Sequence, residues 1–123
     1  MKLFIAVSVA EGIKIINYLS LLKTDTAVLE LRPNCENCNK PLPADSKQAL
    51  ICTYECTWCT DCNENILHNV CPNCGGNLQP RPIRPKTELE TNPASKTPVH
   101  KPIDLKKFLL KRAELKDIAA EKR

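Results

Sequence analysis

The apolar positions fall into three patterns along the chain. In residues 1–27, Ile5, Val9, Ile13, Ile16, Leu19 and Leu22 recur at helical spacing, which predicts an apolar helical extension over residues 1–28. Residues 29–85 show no long periodic run and carry the turn formers Pro41, Pro43, Gly75 and Gly76, so they predict a small domain rich in turns, with a short helix and little sheet. That stretch leaves through QPRPIRP, residues 79–85, whose alternating prolines favour an extended chain. Residues 86–103, rich in Lys, Thr, Pro and Glu, read as a solvated, disordered linker.

The helical pattern returns over residues 104–123. Asp104 is placed to cap the first turn, and Ile103 to staple against Phe108. Leu105, Phe108, Leu115 and Ala119 form a stripe flanked by Leu109 and Ile118. A helix of this length is marginal alone in water, so the stripe calls for a surface, most simply its own domain or a second copy. Lys106, Lys107, Lys111 and Arg112 allow weak contact with acidic lipid or nucleic acid, although a solvated face is the ordinary use of such a run.

Composition limits how the middle segment is held. The 123 residues include ten prolines and only five aromatic residues, too few for a large apolar core. Eight cysteines, all between Cys35 and Cys74, are the alternative source of stability. The opening MKLFIAVSVA starts like a secretory signal, but Glu11 and Lys14 interrupt it early and leave no membrane-spanning run. A reducing cytoplasm follows as the expectation, and there clustered cysteines bind metal more often than they form disulfides. The formal charge of +4 counts every thiol as neutral. Eight thiolates on two divalent ions would bring the chain near neutrality, which removes bulk charge as an argument for nucleic acid.

The cysteines form four pairs: Cys35/Cys38, Cys52/Cys56, Cys59/Cys62 and Cys71/Cys74. Three are CxxC, in which one tight turn offers two sulfurs to one ion. Four pairs make two closed four-cysteine sites, the ligand count of structural zinc rather than of a catalytic metal with an open position. Joining Cys52/Cys56 to Cys59/Cys62 is the least attractive matching, since only Thr57 and Trp58 lie between them. Sequential matching (first with second, third with fourth) and interleaved matching (first with third, second with fourth) both satisfy the spacing.

The run C-x2-C-x13-C-x3-C-x2-C-x2-C-x8-C-x2-C, with Trp58 before the fifth cysteine and CPNC at residues 71–74, resembles the RING finger and its treble-clef relatives. That resemblance implies a cross-brace: Cys35, Cys38, Cys59 and Cys62 on one Zn²⁺, and Cys52, Cys56, Cys71 and Cys74 on the other. Cys56 stands where the RING pattern often has histidine. A closer resemblance spans residues 29–85, where LELRPNCENCNKPLP, ICTYECTWCTDC and CPNCGGNLQPRPIRP look like the bacterial domain of unknown function 1272 family. It implies no established activity. Members of that family start just before LELRP, so a chain start near Val28 would account for the upstream residues.

His68 has a spacing to Cys71 that suits a ligand, but eight cysteines already fill two sites. Ile66, Leu67 and Val70 are expected to pack between the sites beside Trp58 and Tyr54, and Arg81 and Arg84 to be solvated. These readings predict a non-catalytic zinc module that engages another protein through residues 39–51, 63–70 and the terminal helix, with no small-molecule substrate. A ubiquitin-ligase-like adaptor, a nucleic-acid binder and a thiol or zinc redox sensor are the competitors. Against the first stand Glu36 and Asn37, which occupy the knuckle where such ligases present an apolar contact.

Overall fold

The computed structural model describes residues 28–123, and the helix expected over the preceding residues lies outside that range. β1 (Ala49–Ile51) lies at the centre of a three-stranded antiparallel sheet, flanked by β2 (Thr57–Cys59) and β3 (Gln79–Pro80). Leu50 is opposite Trp58 on one side and Pro80 on the other. Pro80 is tolerated because β3 is an edge strand, where a missing N–H costs no ladder bond.

β2 runs directly into α1 (Thr60–Cys62) and a π-helical turn over Asn63–Leu67. His68 and Asn69 end that turn with two consecutive left-handed residues, at φ 49° and 65°. Asn69 fits such a backbone well, and its side-chain oxygen accepts from Leu78 N at 2.8 Å. His68 is exposed and serves as the helix terminus.

The core contains Leu42, Leu50, Trp58, Leu67, Val70 and Leu78 packed among buried cysteines, with Phe108 reaching in from the C-terminal helix. Tyr54 departs from expectation. It is 72% exposed, because it tops the turn between Cys52 and Cys56, where its backbone N–H bonds the Cys52 sulfur and directs the side chain outward. Arg81 also departs: it is buried, and its guanidinium donates to the carbonyls of Arg32, Leu42 and Pro43. Arg84 likewise donates to the carbonyls of Asn92 and Leu29. The two arginines tie the extended exit to the start of the domain, with backbone carbonyls in place of the carboxylate or water that usually meets a guanidinium. Burial, then the neighbouring Arg84 charge, lowers the Arg81 pKa from its ordinary value.

Residues 86–103 begin with α2 (Lys86–Leu89) and then run as a strap against the cysteine domain. Ser95 N donates to Leu31 O, Lys101 N to Glu36 O, and the Asn34 side chain exchanges two hydrogen bonds with the Val99 backbone. α3 (Leu105–Leu115) follows, with Asp104 accepting from Lys107 N as its cap. Phe108 is buried, and Ile103 and Leu115 pack against the same core, so the helix docks on its own domain. Lys111 and Arg112 fix it by donating to the carbonyls of Pro72 and Ile66. The helix stops earlier than the apolar pattern suggests, and a 3-10 turn at Ala120–Lys122 brings Arg123 back onto the carbonyls of Asn69 and Gly75. Gly75 is required at this junction: its φ is +78°, and a Cβ there would lie 2.9 Å from a Leu115 methyl.

Candidate metal centres

The first knuckle, Cys35-Glu36-Asn37-Cys38, is a turn closed by Asn39 N to Cys35 O and Cys35 N to Lys40 O, both 2.9 Å. Asn39 takes the left-handed backbone that lets the chain double back. The end of β2 and the start of α1 bring Cys59 and Cys62 to the same place, and Cys62 N bonds the Cys59 sulfur at 3.4 Å. The four sulfurs of Cys35, Cys38, Cys59 and Cys62 all lie within 4.8 Å of one another. First and third pairs are therefore the ones brought together.

The turn between β1 and β2 holds Cys52 and Cys56, with Glu55 in the left-handed region between them. The Cys71 sulfur joins these two, and the three lie within 4.8 Å of one another. Cys74 is exposed and stands outside that triplet, although it belongs to the same turn as Cys71, which is closed by Gly75 N to Cys71 O at 2.8 Å. Its sulfur accepts from Gly76 N and borders an open recess shared with Tyr54 and Asn73. All eight thiols are free.

The first cluster has the dimensions of a four-thiolate site. Cys35 and Cys62 sulfurs are 3.8 Å apart, and those of Cys38 and Cys59 are 3.7 Å apart. A tetrahedron with metal–sulfur bonds of about 2.3 Å has sulfur–sulfur edges of about 3.8 Å. A disulfide would need about 2.05 Å. The donor set thus fits a thiophilic ion at the first cluster and gathers three of four donors at the second.

Two asparagines complete the arrangement. In both C-x-N-C turns the asparagine amide donates to a sulfur of the partner pair: Asn37 to Cys62 and Asn73 to Cys56, each at 3.3 Å. Hydrogen bonds to a thiolate lower its charge density and fix its direction, as outer-shell partners of metal ligands do. Asn37 also receives Ile103 N on its side-chain oxygen at 3.0 Å, linking the first cluster to the strap. Asn73 approaches Glu36, whose other oxygen accepts from Arg32 at 2.7 Å and from Thr57 N at 2.8 Å. Glu36 is only 1% exposed, so it braces the first knuckle against β2 and the second cluster. The only mark these roles leave in the sequence is the repeated asparagine of CENC and CPNC.

Without a cation, burial raises the thiol pKa values at Cys59, Cys62 and Cys71, and pushes Cys52 up to about 11. At Cys38 burial acts in the same direction, but the Lys40 backbone N–H and neighbouring thiols outweigh it and leave the value lowered. A thiol with a raised pKa holds its proton more tightly, so a metal must displace that proton, and the competition stiffens as pH falls. Apparent zinc affinity should therefore drop by on the order of a hundredfold or more per pH unit below neutrality. Competition with a chromophoric chelator across pH 5.5–7.5 reads this directly, and a flat profile would contradict thiolate ligation.

Residues 28–84 match the family described as "Protein of unknown function (DUF1272)". An uncharacterized protein of Rhizobium meliloti (strain 1021) is 55% identical over 75 residues, covering 61% of this chain and 89% of that protein. No solved structure matches.

Proposed function

The chain belongs to the DUF1272 family, whose function is unknown, and we propose that it is a non-catalytic zinc module of RING-like, cross-braced order that presents a surface to another protein. The interleaved sulfur clusters carry this reading, above all the tetrahedral spacing of the first. Thiolate donors favour zinc over harder ions, and a closed four-thiolate site leaves no coordination position for substrate or water. Eight free thiols suit a reducing compartment such as the cytoplasm. Among the described residues, no helix is long and apolar enough to cross a membrane.

Partner contact is supported by the large apolar side chains that remain exposed. Tyr54 and Leu110 are each 72% exposed, and Leu105 and Leu109 accompany Leu110 on the outer side of α3. The ubiquitin-ligase-like alternative loses support at the first knuckle. Glu36 is buried in its ion pair, and the Asn37 carbonyl and side chain are engaged by His100 and Ile103 of the strap, so that knuckle is not free to receive a conjugating enzyme.

Native mass spectrometry of the full chain tests the module directly. Two zinc ions per chain are expected, lost together with folded structure when chelator is added. A folded, metal-free chain, or a mass lower by eight protons, would overturn the proposal.

A further inference from the structure

A cleft of about 350 Å³ lies between the Cys71–Cys74 turn, the end of the strap and α3, with no cysteine in its lining. Trp58, Pro72, Ile103 and Phe108 give it an apolar lining, and Lys101 and Lys107 contribute two cations to it. Neither lysine belongs to an ion pair among the described residues. Lys111 also lines the cleft and bonds Pro72 O with one of its three N–H groups. The one acid in the lining, Asp104, is already capping α3. Trp58 forms the floor of the cleft and is itself 1% exposed, packed in the domain core.

An apolar hollow edged by two cations outside any ion pair fits an occupant that is apolar at one end and anionic at the other. We propose that this cleft binds the C-terminal residue of a partner protein, seating an apolar side chain against Pro72 and Ile103 and its α-carboxylate at Lys101 and Lys107. The volume suits one large side chain with its carboxylate. This inference rests on the interaction-module reading and specifies its partner's chemistry.

The full, zinc-loaded chain provides its own probe, because Trp58 is the single tryptophan and gives one indole N–H signal in a nitrogen-15 correlation spectrum. The probes are a short peptide ending in Leu with a free carboxylate, the same peptide amidated at its C terminus, and 4-phenylbutyrate. The free-acid peptide should shift the indole signal saturably, and the amide should bind about tenfold or more weakly. The double variant Lys101→Ala/Lys107→Ala should lose about tenfold for the free acid and nothing for the amide. Its fold is protected, since the Lys101 contact with Glu36 uses the backbone N–H.

Equal affinity for acid and amide, or no shift by either peptide up to about 10 mM, would overturn the proposal. Saturation by 4-phenylbutyrate alone would also overturn it, in favour of a small organic acid. A dispersed spectrum with bound zinc but no peptide shift would sink only the cleft assignment. Loss of zinc and dispersion in the starting protein would instead sink the module reading.

Discussion

Replacing Cys59 by alanine should leave a chain that binds at most one zinc ion and lacks a stable fold at 25 °C. Cys59 is completely buried, caps α1 and ends β2, so its sulfur joins the sheet, the helix and the first cluster. The binding free energy of a structural zinc site is of order 10 kcal/mol, comparable to the whole stability of a small domain. Cys74→Ala should behave differently. That thiol is exposed and stands apart from the Cys52, Cys56 and Cys71 triplet, so its loss should weaken one ion while the first site and the general fold survive. Metal stoichiometry by native mass spectrometry and amide dispersion by NMR read both variants. Equal damage from the two substitutions would contradict the difference drawn between the clusters.

Glu36→Ala should be the most damaging substitution outside the cysteines. It strips the acceptor from Arg32 and from the Thr57 backbone N–H, and breaks the link toward Asn73. Removing one partner of a buried ion pair costs about 3–5 kcal/mol, because the other partner stays behind unmatched. The Arg32 side chain retains 18% exposure, which favours the lower end of that range. Glu36→Gln keeps an oxygen for Thr57 N and should cost about 1–2 kcal/mol. Urea unfolding at fixed free zinc separates the two variants. An alanine variant as stable as the parent would show that this carboxylate does not brace the clusters.

Spacing exposed the cysteine pairs, because CxxC turns leave a local mark, and the pattern around Asp104 exposed the cap of the last helix. Spacing left the matching of pairs open between sequential and interleaved, since it records separations along the chain and not which turns meet in space. In the fold, β2 carries Cys59 away from Cys56 and toward the first knuckle, which brings the first and third pairs together. The strap was illegible for another reason. Its contacts are backbone groups bonded to Asn34, Glu36 and Asn37, and backbone hydrogen bonds leave no hydrophobic pattern to read. Arg81 misled for a similar reason, since an arginine between prolines gives no hint that three carbonyls of distant residues converge on it.

The interleaving of the two sulfur groups also bears on how such a domain is inherited. A crossover between residues 38 and 59 separates the knuckles of the first group, and one between 56 and 71 separates those of the second. The intervals overlap, so no recombination point from 38 to 71 spares both. Neither half of this domain, cut anywhere in that interval, keeps both complete sulfur groups, so the two groups stand or fall within one continuous stretch of chain.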